Sequence, residues 1–252
     1  ALFSLIELRF REKSKIIGGF FVMSISKGWQ WEMLGENQRE YWRNPSEESY
    51  YLVNRWKMQG KEDFLDLGCG IGRHSIFFGK NGFNVRCLDI SEEAVVSTKQ
   101  WAEQEGLHFD YAIGDMLKLP YEDGSVDCIM CRNVISHSDT KGVVQTIEEI
   151  RRVLRNGGEC FLTLASKETW GFKQDEWPLL DKNTRVRMDN GPEHGVPHFY
   201  ADYNDAIDLF KDFEIVSISH VETYYKHDGK RFNSAHYHIL IKNRGTIPSL
   251  AE

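Results

Sequence analysis

The stretch Asp63-Phe64-Leu65-Asp66-Leu67-Gly68-Cys69-Gly70-Ile71-Gly72-Arg73 decides how this sequence is read. Its first five residues form a short, mostly apolar run with strand character, and Arg73–Lys80 reads as a helix. Three glycines at alternate positions, Gly68, Gly70 and Gly72, therefore fall between a strand and a helix. Glycine lets the backbone turn tightly and approach a ligand, and the helix N-terminus offers unpaired N–H groups. A dinucleotide loop spaces its glycines Gly-x-Gly-x-x-Gly, but here Arg73 stands where the third belongs.

Working outward, short strand-like runs alternate with amphipathic stretches. A helix is expected after Ser46, running to about Gln59, and a second strand at Asn84–Asp89. Ser91 caps a helix with Glu92 and Glu93 in its first turn and Ala94, Val95, Trp101 and Ala102 at helical spacing. Further strands are expected near His108–Ile113 and Val126–Arg132. Lys141 to Leu154 reads as a helix with an apolar stripe of Val143, Val144, Ile147, Ile150, Val153 and Leu154. Gly157-Gly158 reads as a turn and Glu159–Ala165 as a fifth strand. Residues 166–200, rich in Trp, His, Pro and Gly, show no periodicity and read as a long irregular segment, which is usually functional. A short helix near Asp202–Phe210 and strands near Phe213–His220 and His236–Ile241 complete the chain. Such alternation predicts an α/β protein with a doubly wound, mostly parallel sheet.

Two acids stand at consecutive strand ends. Asp89, followed by Ile90, lies about 20 residues beyond the glycine loop, where a carboxylate can accept from both hydroxyls of a ribose. Asp115, in Gly114-Asp115-Met116, can accept from an exocyclic adenine amine, and the next N–H can donate to a ring nitrogen. Loops beyond the carboxyl ends of neighbouring strands share one crevice, so the three elements converge.

With these residues the sequence resembles the class I, Rossmann-like, S-adenosylmethionine-dependent methyltransferases, of the small-molecule type. Asp66–Gly72 looks like their first motif, Asp89 like their ribose acid and Gly114-Asp115-Met116 like their adenine turn. Leu119–Asp127 resembles their lead into the fourth strand. Arg151–Gly158 resembles the turn before the fifth, with Asn156 where the family usually has proline. The resemblance covers about residues 40–242 and implies seven strands, the last of them, around His236–Ile241, antiparallel. It implies S-adenosylmethionine as cofactor, with Gly68, Gly70 and Gly72 around its methionine part and Asp66, Cys69 and Arg73 of the same loop in contact. Asp89 and Ile90 would meet the ribose, Asp115 and Met116 the adenine, and Arg132, Asn133 and Val134 the transfer site.

His137, just past the fourth strand, is the first candidate for a catalytic base, if the acceptor carries a removable proton. Trp170, Phe172, Trp177, His198, Phe199 and Tyr200 of the irregular segment are expected to form a substrate cover, with Trp29-Gln30-Trp31 and Tyr41-Trp42 closing from the other side. Metal is not expected. Pro197 breaks any helical pairing of His194 with His198, and His236 and His238 share a strand face but show no acid or cysteine partner. Cys128 and Cys131 sit three apart on a strand and so face opposite ways.

Composition bounds the rest. The 252 residues are 41% hydrophobic, enough for a sizeable core, and 38 acidic against 31 basic side chains give a net charge of -7. That balance argues against a nucleic-acid partner and favours a small-molecule acceptor. No apolar run is long enough to span a bilayer, and the five cysteines, mostly in apolar runs, point to a reducing, cytoplasmic setting. Residues 1–22 are expected to be a peripheral extension before Met23, and residues 23–252 one methyltransferase domain with a substrate-cover insertion at about 166–200. Two other functions carry the same features in part. A non-catalytic protein sensing S-adenosylmethionine or S-adenosylhomocysteine would keep the cofactor motifs. An NAD-dependent oxidoreductase is disfavoured by the alternate-glycine loop and the Asp115 turn. Oligomeric state is not legible.

Overall fold

The computed structural model describes residues 24–227 and 229–245, so the expectation for residues 1–22 lies outside the described residues. Strand β1 (Asp63–Leu67) lies between β2 (Asn84–Asp89) and β4 (Val126–Cys131), parallel to both. Strand β3 (Asp110–Ile113) extends the sheet beyond β2, and β5 (Leu154–Ala165) extends it beyond β4. Strand β10 (Lys230–Lys242) runs antiparallel to β5, and β9 (Glu214–His227) pairs antiparallel with β10 to close the edge. The order β3-β2-β1-β4-β5-β10-β9 is the doubly wound, seven-stranded, mostly parallel sheet with an antiparallel last strand.

Alternation along each central strand divides the core into two layers. On one face Phe64, Cys87, Cys128 and Met130 pack with Leu52, Val53 and Trp56 of α2 (Glu47–Met58), Phe78 of α3 (Arg73–Lys80) and Val95 of α4 (Glu92–Gln104). On the other, Leu65, Leu67, Ile129 and Cys131 pack with Val143, Ile147, Ile150 and Val153 of α5 (Thr140–Val153) and Ala206 of α6 (Tyr203–Leu209). Cys128 and Cys131 thus lie in different layers. Val144 is exposed, one position off the stripe it was expected to join. Ser91 caps α4 as expected, its hydroxyl accepting from the Ala94 N–H. At the far end of the sheet Glu159, almost fully buried, accepts two bonds from Arg55 and one from Trp56, which pins α2 to β5.

Three readings of the sequence are corrected. Strand β5 starts at Leu154, with Gly157-Gly158 in an irregular pairing inside it rather than in a free turn. The reason is that the Gly157 N–H donates to the Asn243 carbonyl, and the Asn243 N–H to that of Gly158. Strands β9 and β10 are longer than their apolar cores, because backbone pairing continues through polar residues as far as His227 and Lys230. Residues 166–200 are not irregular throughout: β6 (Leu179–Asp181), β7 (Thr184–Val186) and β8 (Pro197–Phe199) form a small antiparallel sheet. Strands of three residues are too short to show a period. This small sheet docks on the carboxyl ends of β4 and β5, where the Phe199 N–H donates to the Ser136 carbonyl and the Ala201 N–H to that of Ala165.

Asp66, near the end of β1, is fully enclosed and accepts a hydrogen bond from the Ser75 hydroxyl at 2.6 Å. Burial pushes its carboxyl up to about 6, against the pull of that bond. A carboxyl whose folded pKa lies above its unfolded value favours folding at low pH, and this contribution is lost as pH rises from about 4 to about 6. Replacing Asp66 by Asn removes the titration. The unfolding free energy of Asp66→Asn relative to wild type, measured in urea, is expected to rise by about 2 kcal/mol between pH 4 and pH 7. A difference that stays flat with pH would show that Asp66 does not carry this shift.

Candidate active site

The loop after β1 is held open by its neighbours. The N–H groups of Gly68 and Cys69 both donate to the Leu88 carbonyl of β2, at 2.7 and 3.0 Å. The Gly70 N–H donates to Asp89 Oδ2 at 2.8 Å, and the Thr98 hydroxyl of α4 donates to the Gly70 carbonyl. Gly68 has φ +74, and a Cβ there would lie 2.3 Å from Val134 Cγ2. This is a cradle closed to any side chain.

A cavity of about 420 Å³ opens above these strand ends. Of the residues expected at the site, Gly68, Cys69, Gly70, Arg73, Asp89, Ile90, Asp115, Met116, Arg132, Asn133 and His137 line it. Asp66 and Gly72 are not on its wall. Asp66 points back to Ser75, and Gly72 serves as the left-handed N-cap of α3 at φ +97. Asp89 keeps an oxygen on each of two backbone N–H groups, those of Gly70 and Ser91, and burial raises its pKa. The Asp115 carboxylate accepts from the Leu117 N–H at 3.0 Å and from the Ser26 hydroxyl.

One end of the cavity is cationic. The Arg73 guanidinium lies 4.6 Å above the Trp42 ring, and burial, with Arg132 nearby, pushes its pKa down to about 10. Arg132 faces Glu48 at 3.4 Å. Glu48 is in turn bonded to His238 at 2.8 Å and, although burial opposes it, these partners hold it well below the usual carboxylate range. The Nε2 atom of His74, also on the wall, has no hydrogen-bond partner among the described residues.

The same cavity also carries a group that no local sequence pattern marks. Glu193 Oε1 lies 3.4 Å from Nε2 of both His137 and His198, and Glu193 Oε2 lies 2.7 Å from Arg187. These three residues, His137, Glu193 and His198, form a cluster with metal-ligating donor atoms within 4.8 Å of one another; the expectation that His236 and His238 have no acid partner is corrected at His238, whose Nδ1 lies 2.8 Å from Glu48 Oε1. Burial raises the Glu193 pKa, yet His198, His137 and Arg187 together hold it well below the ordinary value; burial lowers that of His198. No local pattern marks Glu193 in the sequence, since 56 positions separate it from His137 and only folding of the insertion brings them together.

The aromatic cover is divided. Trp170, His198 and Tyr200 line the cavity from the insertion, and Trp29, Trp31 and Trp42 from the N-terminal side. Phe172, Trp177, Phe199 and Tyr41 do not. Phe199 and Trp177 are packed inside, and Tyr41 is 69% exposed. Backbone bonds stitch the N-terminal side on: Gln30 N–H to the Pro192 carbonyl, Lys27 N–H to that of His137 and Asp139 N–H to that of Ile25.

Known proteins are similar to this chain in sequence and fold. Residues 64–158 match the family described as a methyltransferase domain. This part of the chain is similar in sequence, and the whole sheet in fold, to S-adenosylmethionine-dependent methyltransferases. The chain is 29% identical, over 57% of its length, to the glycine/sarcosine/dimethylglycine N-methyltransferase of Actinopolyspora halophila, of which it spans 26%. It is 31% identical, over 52% of its length, to a thiol S-methyltransferase of Homo sapiens, of which it spans 54%. The fold of an S-adenosylmethionine-dependent methyltransferase from Methanosarcina mazei matches with a TM-score of 0.59 at 20% identity, over 73% of this chain and 93% of that one. No helix among the described residues is long and apolar enough to cross a membrane.

The Gly68 cradle gives a direct test. Gly68→Ala combines a positive φ with a clash and is expected to destabilise the protein by about 2–4 kcal/mol in thermal or urea unfolding. Adding Val134→Ala should recover part of that loss, because the clash goes while the backbone strain stays. Strict additivity of the two losses would mean that the two residues do not meet.

Proposed function

We propose that this chain transfers the methyl group of S-adenosylmethionine to a small-molecule acceptor inside the cavity above β1, β2 and β4. The observation that carries the proposal is that the residues suited to the cofactor and a separate polar cluster line one cavity of about 420 Å³. That volume falls in the range of small-molecule sites. Support also comes from the N- and S-methyltransferase relatives, whose names point to small acceptors.

The cavity would take the cofactor part by part. Asp89 would accept from the ribose hydroxyls, with Ile90 beside it, and Asp115 and Met116 would face the adenine. The glycine loop would let the backbone pass close to the methionine part. Arg73, Arg132 and the free His74 Nε2 would suit its amino-acid end, where a carboxylate needs cationic and N–H donors. When bound, the cofactor supplies an electrophilic methyl on its sulfonium. The protein's part is to align an acceptor with it and to exclude water. We assign cover to the small sheet of residues 166–200 together with Trp29, Trp31 and Trp42, and activation of the acceptor to His137. Residues 23–252 act in this reading as one domain, and the five buried free cysteines suit a reducing compartment such as the cytoplasm.

Calorimetric titration tests the cofactor side. S-adenosylmethionine and S-adenosylhomocysteine are expected to bind, and NAD is not; NAD binding alone would overturn the reading. Asp89→Ala is expected to weaken S-adenosylmethionine binding about 10- to 100-fold, through loss of a charged acceptor. Unchanged affinity would take Asp89 out of the site.

The acceptor side is tested by turnover. In a screen of small-molecule acceptors that reads S-adenosylhomocysteine release, His137→Ala is expected to lower turnover by about 100-fold or more without loss of cofactor affinity. Normal turnover would return His137 to a packing role, and a wild-type protein that binds cofactor yet never turns over would be a sensor.

A further inference from the structure

We propose that His137, Glu193 and His198 form a binding site for a divalent transition-metal ion that holds the heteroatom of the methyl acceptor. This rests on the methyltransferase reading of the cavity, with His137 activating the acceptor through the ion rather than as a base.

The distances are those of shared coordination rather than of hydrogen bonding. Nε2 of His137 and Nε2 of His198 each stand 3.4 Å from Glu193 Oε1. A direct N–H···O bond spans about 2.7–3.2 Å. Two ligand atoms about 2.0–2.1 Å from one tetrahedral ion, by contrast, lie about 3.3–3.4 Å apart. All three donor atoms fall within 4.8 Å of one another, with the two imidazole centroids 4.7 Å apart.

The protons point the same way. His198 Nδ1 lies 3.2 Å from the Val196 carbonyl oxygen, which can only accept, so Nδ1 carries the hydrogen. In the neutral ring Nε2 then presents its lone pair to Glu193. A lone pair facing a carboxylate oxygen is unfavourable unless a cation lies between them. The carboxylate is oriented for such a cation by two donors, since Trp29 Nε1 donates to Oε1 at 2.7 Å and Arg187 pairs with Oε2 at 2.7 Å. Hydrogen bonds of this kind around imidazole and carboxylate ligands are what fix them on a metal.

Two nitrogens and one carboxylate oxygen suit zinc and its first-row neighbours, and three protein ligands leave a fourth position for substrate. All three side chains line the cavity that Asp89, Asp115 and the glycine loop also line. A hydroxyl or thiol acceptor fits it. On binding, the acceptor gives its proton to water. Its freed electron pair then forms the bond to the methyl carbon, while the carbon–sulfur bond breaks with its electrons going to sulfur.

The test uses the whole protein, stripped with a chelator and titrated with cobalt(II), then with zinc(II) in competition. Wild type is expected to take up one equivalent of cobalt with the visible absorption of a tetrahedral site. Glu193→Gln and His198→Ala should each weaken uptake about tenfold or more. S-adenosylmethionine binding, measured on every sample, reports whether each variant is folded. Wild-type protein that binds S-adenosylmethionine but neither metal overturns the site and leaves a protonated imidazole against Glu193. Equal cobalt affinity in wild type and both variants overturns it as well. Failure of wild type to bind S-adenosylmethionine overturns the methyltransferase reading instead.

Discussion

Gly68 passes so close to Val134 that a single added carbon would lie 2.3 Å from the valine side chain, and the site depends on that approach. It brings the end of β1 against the segment after β4, while the N–H groups of Gly68 and Cys69 tie the same loop to β2. Three strand ends are thereby fixed by one turn. The backbone of the turn can then face the cavity directly, with no side chain in between. Gly70 repeats the device on the outer side, where a Cβ would meet the Trp31 ring at 2.7 Å. The N-terminal aromatics can close the cavity because the loop beneath them has no bulk.

The charges around the cavity are arranged by what burial costs. An ionised group taken out of water needs a partner or a nearby ligand. At the cationic end Glu48 sits between Arg132 and His238, and Arg73 is left with the Trp42 face and the cavity. Elsewhere on its wall Glu193 is surrounded by Arg187, Trp29 and two imidazoles. The cavity wall therefore holds one group that favours an anion and another that favours a cation or a proton. Such polarity suits a zwitterionic cofactor at the first and an acidic acceptor atom at the second.

Much of the fold could be read because its signals are local. The alternation of strand and helix, the glycine loop, the Ser91 cap and the apolar stripe of α5 each lie within a few consecutive residues. The structure places β2 and α3 at the residues expected for them. The small sheet of β6, β7 and β8 was hidden because three-residue strands show no period, and the polar continuation of β9 and β10 because backbone pairing needs no apolar pattern. The cavity wall was legible where strand ends carry it, as with Asp89, Asp115 and Asn133. Asp66 was drawn inward by Ser75, a partner nine residues on across the loop. Glu193 could not be found at all, since an isolated acid between Pro192 and His194 looks like any solvent-facing charge until the insertion folds back on His137.

The segment after β4 shows why the site needs the sheet's far strands as well. Asn133 has φ +59 and is the one non-glycine residue with a positive φ among the described residues. A left-handed residue costs about 1–2 kcal/mol when it carries a Cβ. The cost is borne by β5, because the Asn133 N–H donates to Thr163 Oγ1 at 2.7 Å and the Thr163 hydroxyl donates back to Asn133 Oδ1 at 3.1 Å. Beyond this bend the chain delivers Val134 to the Gly68 cradle and His137 to Glu193. Both contacts thus hang on one strained residue, and its strain is sustained by a threonine on the next strand. A backbone held in this way cannot relax locally, so the spacing between the cofactor loop and the His137 cluster is set by the sheet rather than by the loops that line it.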